Sequence, residues 1–283
     1  NTLNEPDKAM KEIQKLADKY PMEARYQIVM GDLYLEKNDT DKALLCYNKA
    51  HEIDPSNPYY IVSMANYYEI VGDKEAAETQ IRSALVNNDL DVDTKVNILS
   101  RYVVRLQQNK QDIEGANTLF KTLLEQHPEE TELKLMYGSL LAMQDKTEEA
   151  RFQFQLVTEM EPDNAGAWQQ LLNLSLKADN MEEVKRICIK CQELFPNAPE
   201  YYFYLGIAHY QLKEYDKALE TYQAGIRIID KENTSQLSDF YGQIGDIYYQ
   251  QKNVTKAYEA YEEALKYNDK NIVVLNNYSY FLT

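Results

Sequence analysis

Small and bulky apolar positions recur along this chain at fixed intervals, and the interval is longer than any single helix. In the stretch Ala24 to Asn57, numbered from Ala24 as position 1, Met30 and Gly31 stand at 7 and 8 and Tyr34 at 11. Ala43 then stands at 20, Tyr47 at 24, Ala50 at 27 and Pro55 at 32. The apolar positions are three and four residues apart, which is the period of a helix with one buried face. Two such helices fit within the stretch. Gly31 and Ala43 are small where two helices cross closely, and Tyr34 and Tyr47 fill the space beside the crossing. Pro55 ends the second helix, because its ring clashes with the preceding turn and disfavours helix in the residue before it.

The position-20 residue acts as a ruler. Ala9, Ala43, Ala77, Ala116, Ala150, Val184, Ala218 and Ala257 are spaced 34, 34, 39, 34, 34, 34 and 39 residues apart. Pro21, Pro55, Pro128, Pro162 and Pro196 keep the same register at position 32, with Asp89, Asp230 and Asp269 in that place elsewhere. The boundaries that follow are a second helix alone at 5–21 and full repeats at 24–57, 58–91, 92–130, 131–164, 165–198, 199–232 and 238–271. A first helix alone follows at 272–283. The half repeats at either end are expected to mark a piece of a longer array. In the third repeat one extra residue precedes the helix and four fall in the loop QNKQDIEG, with Ser100 placed at the small position. A polar insert, Asn233 to Leu237, precedes the seventh. The fifth repeat carries Trp168 at position 4 but Leu172 at position 8 and Val184 at 20, a bulk expected to be offset by the small Cys188 and Cys191 at 24 and 27.

This pattern resembles the tetratricopeptide repeat (TPR) family, a helix–turn–helix unit of 34 residues. The resemblance covers essentially the whole chain. It implies an all-α fold, a right-handed α-α superhelix built as a solenoid of antiparallel helix pairs. The wording GDIYYQQKNVTKAYEAYEEAL…VLNNYSYFLT is similar to bacterial TPR adaptor and lipoprotein arrays, which implies a bacterial cytoplasm or cell envelope, any leader lying upstream.

In that family the first helices line a concave groove through positions 2, 5, 9, 12 and 13. Carried onto this chain, the groove includes Val62, Asn97, Leu135 and Phe203 at position 5 and Asn66, Arg101, Ser139 and Asn173 at position 9. Tyr210 falls at position 12 and Arg105 at position 13. Chaperone-binding members grip a carboxylate tail with lysine at position 5 and asparagine at position 9. No repeat here has lysine at position 5, so that ligand is not expected. The groove mixes apolar and amide groups, which suits an extended peptide or a partner helix. Arg101 and Arg105 add a local positive spot suited to a carboxylate, unless they pair with acids such as Asp93 or Glu132.

Composition narrows the reading further. The net charge of −16 repels phosphate backbones and anionic lipid, so nucleic acid is not an expected partner. No apolar run is long enough to span a membrane. Three cysteines do not make a disulfide scaffold. Cys188 and Cys191 spell C-x-x-C on packed positions of one helix and read as core, as does Cys46. His209, at position 11, reads as a core histidine with one satisfied nitrogen. Glycines stand singly, so no phosphate-cradling loop exists, and no nucleophile elbow or zinc-binding helix motif is present. The expectation is a non-enzymatic scaffold or adaptor with no cofactor or metal, binding another protein and open to self-association through its terminal helices. A regulatory or sensory segment of a larger signalling protein is the alternative. RNA binding by helical repeats is opposed by the acidic balance.

Overall fold

A computed structural model describes residues 6–108 and 113–282. The described residues form sixteen helices and are otherwise turns. In order they are α1 (Pro6–Lys19), α2 (Ala24–Glu36), α3 (Thr40–Ile53), α4 (Pro58–Val71), α5 (Lys74–Val86), α6 (Val92–Gln108), α7 (Glu114–Gln126) and α8 (Thr131–Met143). There follow α9 (Thr147–Met160), α10 (Ala165–Lys177), α11 (Met181–Leu194), α12 (Pro199–Gln211), α13 (Tyr215–Ile226), α14 (Thr234–Gln250), α15 (Val254–Tyr267) and α16 (Ile272–Leu282). They group into two compact units, residues 1–137 and 138–283, with the division inside α8.

Within the first unit α2 packs on α3 and α4 on α5, and α2 also touches α4. Within the second, α10 packs on α11, α12 on α13 and α14 on α15, and α14 touches α16. Helices that open successive repeats are thus neighbours, as well as partners of the helix that follows them.

The helix ends follow from short polar side chains. Asp39, Asp73, Asn180, Asn233 and Asn253 each accept a hydrogen bond from the backbone N–H three residues on, satisfying a donor the helix itself leaves open. Second helices stop just short of the prolines: α3 at Ile53 before Pro55, α9 at Met160 before Pro162, and α11 at Leu194 before Pro196. The turn inside six pairs places its position-15 residue in the left-handed region. Gly72 does so with φ 86°, and Asn38, Asp145, Asp179, Lys213 and Lys252 do so with φ between 54° and 63°. Five of these six carry a Cβ in a conformation that costs non-glycine residues on the order of 1 kcal/mol.

The core repeats with the ruler. Ala43, Ala77, Ala116, Ala150, Val184, Ala218 and Ala257 are all fully buried. Gly31, Gly138, Gly206 and Gly245 meet the rings of Tyr47, Phe154, Tyr222 and Tyr261 across the crossing. A Cβ at Gly138 would lie 2.6 Å from Phe154, and one at Gly245 would lie 2.5 Å from Tyr261, both well inside van der Waals contact. In the pair α10–α11 the bulk changes sides: Leu172, Val184, Cys188 and Cys191 are all fully buried.

Two places refine the sequence reading. The insert before the seventh repeat is absorbed as an extra helical turn, since α14 begins at Thr234 with Asn233 as its cap and buries Leu237 and Ser238. The third repeat also opens on a 17-residue helix, α6, where Leu99 is fully buried and Ser100 is exposed. The close crossing there is not made by Ser100. The four loop residues expected as its insertion fall at 109–112, outside the described residues.

Candidate functional site

First helices that lie side by side present the same positions to the same surface. In the first unit Asp32, Leu35 and Glu36 of α2, Asn66, Glu69 and Ile70 of α4, and Arg101 of α6 line one open cavity of about 480 Å³. Those are positions 9, 12 and 13 of α2 and α4, joined by Arg101 of α6, where the inward turn of Leu99 shifts the register by one residue. Arg101 donates to the Asn66 side-chain oxygen at 3.2 Å, and Arg105 one turn later meets Glu69 at 2.6 Å. The Arg105 guanidinium also lies over the Tyr102 ring, 5.3 Å from its centroid. The arginines therefore reach back to the preceding first helix rather than to Asp93 or Glu132.

Asp32 lines this cavity from α2. Its Oδ1 accepts from the Tyr47 hydroxyl at 2.8 Å. Burial pushes the carboxyl above its ordinary pKa, while hydrogen bonds from Tyr47 and Ser63 hold it back and the nearby Glu36 pushes further upward. The second unit repeats the element. Asp246 Oδ1 accepts from the Tyr261 hydroxyl and from the Asn277 amide, each at 2.8 Å, and burial again raises the carboxyl. Asp246 lines a smaller cavity of about 140 Å³ with Phe203, Asp239, Gly242, Gln243, Asn271, Val273, Val274 and Asn277.

The remaining groove residues predicted from sequence are spread out. Val62 is half-buried one turn before Asn66, and Asn97 is exposed with its amide donating to the Asp93 carbonyl at 2.9 Å. Leu135 and Ser139 are half-buried on α8. Asn173 is exposed and accepts from Gln169 at 3.0 Å. Phe203 packs partly into the core, its ring centroid 5.2 Å from Phe240 and 6.0 Å from Tyr222. Tyr210 is half-buried against Tyr215, and burial raises its hydroxyl. Asn66 and Arg101 thus share a cavity, Arg105 bonds to its wall, and Phe203 belongs to another. Asp32 and Asp246 are position-9 groove residues by sequence, but their bond to a tyrosine is not read there, although the recurrence of Gly-Asp with tyrosine fifteen residues after the aspartate (Gly31-Asp32…Tyr47, Gly245-Asp246…Tyr261) carries the signal.

A third cavity, of about 470 Å³, lies on the second-helix side, between Gln223 and Ile226 of α13, Tyr241, Ile244 and Tyr248 of α14, and Lys256, Glu259, Ala260 and Glu263 of α15. The cysteines are buried and free. Burial pushes the Cys188 thiol up and holds Cys191 up at about 12, which keeps both protonated and unreactive. His209 is buried with Nδ1 2.5 Å from Glu214, whose carboxyl is held down at about 2 by His209 and Lys217. Among the described residues no group of three or more His, Cys, Asp or Glu side chains converges as metal ligands would, and no helix is long and apolar enough to cross a membrane.

The paired helices and their repeated register define a helical-repeat protein. Family models described as tetratricopeptide repeat match residues 109–174, 199–231 and 238–271, and one described as TPR repeat matches residues 31–69. The chain belongs to the tetratricopeptide repeat family and is a TPR protein-interaction domain. It is similar to the Hsp70-Hsp90 organizing protein of Triticum aestivum, 25% identical over 229 residues that make up 70% of this chain and 39% of that protein. A shorter match, 32% identical over 90 residues, is to cellulose synthase operon protein C of Pseudomonas fluorescens, covering 31% of this chain and 7% of that protein. The chain thus spans about two fifths of the length of the organizing proteins it matches. Among solved structures, the C-terminal part of a TPR repeat-containing protein from Cytophaga hutchinsonii superposes with TM-score 0.62 at 17% identity, covering 90% of this chain and 98% of that one. MamA superposes with TM-score 0.52 at 20% identity over 62% of this chain and 92% of its own.

Proposed function

We propose that the chain is a non-catalytic adaptor whose first-helix surface holds an extended peptide or a helix of another protein. The observation that carries this reading is the cavity at positions 9, 12 and 13 of α2 and α4 beside Arg101 of α6, where Leu35 and Ile70 offer apolar surface beside the polar Asn66, Glu69 and Arg101. Such a mix of apolar contact and a few fixed polar groups suits a chain segment, whose backbone needs hydrogen bonds and whose side chains need pockets.

The relatives named for organizing Hsp70 and Hsp90 raise the question of a chaperone tail. Position 5 here holds Ile28, Val62, Asn97, Leu135, Gln169, Phe203, Gly242 and Asn276, with no lysine to meet a terminal carboxylate. The adaptor reading therefore takes an internal segment as ligand, not a carboxylate end.

Peptides recovered from a displayed random library on the immobilised protein would be titrated calorimetrically against wild type and the Arg101→Ala/Arg105→Ala double variant. The variant is expected to bind them at least tenfold more weakly while its helical circular dichroism is unchanged. Equal affinity for both proteins would remove the first-unit cavity from the binding surface.

A further inference from the structure

Resting on the reading of the first-helix surface as a peptide site, we propose that the bound segment lies extended and offers a backbone carbonyl to the Asn66 side-chain amide, which Arg101 holds in the donating direction. Asn66 stands at position 9 of α4 and lines the first-unit cavity. Its side-chain oxygen accepts from Arg101 Nη1 at 3.2 Å, across from α6. A guanidinium has only N–H donors, so only the oxygen of the amide can face it. That leaves the NH2 end for a ligand, and it makes no hydrogen bond among the described residues. Arg105, one turn beyond Arg101, is taken up by Glu69 at 2.6 Å and does not compete for Asn66.

The second unit repeats the arrangement with a different donor. Asn173, at position 9 of α10, is exposed, and its side-chain oxygen accepts from Gln169 one turn earlier at 3.0 Å. Both position-9 asparagines therefore spend their acceptor within the chain and keep their donors. What such donors accept depends on the backbone of the ligand. A helix has its carbonyls bonded to its own N–H groups, so a helix laid over Asn66 would strip water from the amide and return nothing. An extended segment has carbonyls and N–H groups to spare. Asn66 on α4 answers a carbonyl, and the Glu36 carboxylate, exposed on α2 at the same cavity, answers an N–H. Leu35 and Ile70 lie beside them for a side chain. Arg101 is thus a positioning residue: it aims the amide before the ligand arrives.

The test titrates an acetylated, amidated nonapeptide of alternating leucine and serine, which carries no charge, into the full chain labelled with nitrogen-15 at asparagine. The Asn66 side-chain NH2 protons are expected to move downfield at saturation as they take up a carbonyl. A hydrocarbon-stapled helix of the same composition, its leucines on one face, should bind at least tenfold more weakly. Asn66→Asp keeps an acceptor for Arg101 but has no N–H to give, and should weaken the linear peptide at least fivefold with helical circular dichroism unchanged. Arg101→Ala should cost a similar factor, and Arg101→Lys, whose ammonium also only donates, should restore most of it. A linear peptide that fails to bind, or binds without moving the Asn66 NH2 resonances, would overturn the proposal. So would a stapled helix bound as tightly. Arg101→Ala binding as wild type does, or Arg101→Lys as weak as Arg101→Ala, would overturn the positioning role. Library peptides that lose affinity in the Arg101/Arg105 variant but are helical when bound would leave the adaptor reading standing and overturn this one.

Discussion

The neighbouring pairs α10–α11 and α12–α13 solve one packing problem in opposite ways. In α12–α13, Gly206 lies against the buried Tyr222 ring, and a Cβ at that glycine would collide with it. In α10–α11 the same two positions hold Leu172 and Cys188, both fully buried. The branched chain sits on the first helix and the small one on the second. What the repeat conserves is the volume at the crossing, shared between positions 8 and 24, rather than a residue type at either. Interiors packed at crystal-like density enforce that sum.

The strongest way to break this comparison is to give α12–α13 half of its neighbour's solution. Gly206→Leu should destabilise the second unit by about 3 kcal/mol or more, because the added side chain has only the Tyr222 ring to enter. Tyr222→Cys alone should cost a similar amount, about 3–4 kcal/mol, through the cavity left by the ring. The double variant reproduces the α10–α11 combination and should recover on the order of 2 kcal/mol of the summed loss, read as a coupling in urea unfolding of the three variants. Strictly additive losses would show that the two positions do not share volume.

Much of this was legible from residues alone. The exchange of glycine and aromatic for leucine and cysteine is a matter of volume at two positions with known spacing, and helix ends depend on caps and prolines a few residues away. Three features were not legible, for physical reasons. Whether inserted residues form a loop or another turn depends on what they can bury, and Leu237 found a place in the core. The ruler puts Ser100 at a crossing, but the longer α6 turns Leu99 inward instead. The partners of Arg101 and Arg105 lie 35 and 36 residues earlier, at Asn66 and Glu69, so they depend on how first helices lie beside each other. No local pattern encodes that. Asp246 and Tyr261, joined across a crossing, differ in this respect, since Gly-Asp with a tyrosine fifteen residues after the aspartate recurs in the sequence.

That last pair sharpens the comparison by separating what the position-24 ring does from what its hydroxyl does. In α12–α13 the Tyr222 hydroxyl reaches Gln243 at 3.4 Å, whereas in α14–α15 the Tyr261 hydroxyl donates to the half-buried Asp246 at 2.8 Å. Tyr261→Phe should therefore cost about 1–2 kcal/mol, and Tyr222→Phe much less, since only the former leaves a half-buried carboxylate short of a donor. The pH dependence has a definite sign. Burial raises the Asp246 carboxyl, so between its ordinary pKa of 3.8 and the raised value the folded chain holds more protons than the unfolded one. Stability falls as pH rises through that window, and the whole penalty is present above it. Asp246→Asn keeps an acceptor for Tyr261 and Asn277, so it should flatten that part of the urea-midpoint profile and raise the midpoint at neutral pH. A lower midpoint at neutral pH would mean that the charge itself stabilises this crossing.

The smallest effect lies in the turns of the same two pairs. Asp179 between α10 and α11, and Lys213 between α12 and α13, both take left-handed backbone, with φ 54° and 63°. Glycine adopts that conformation without steric cost but loses more freedom on folding, so the gain from substitution is a difference of two terms of about 1 kcal/mol. Aspartate tolerates the region better than a long unbranched side chain, because its short carboxylate can hydrogen-bond locally. Lys213→Gly should thus raise the unfolding midpoint by the equivalent of about 0.5 kcal/mol, and Asp179→Gly should leave it nearly unchanged. Equal gains at both turns would show that backbone strain alone sets the effect. A loss at Lys213 would show that its side chain contributes more than its backbone conformation costs.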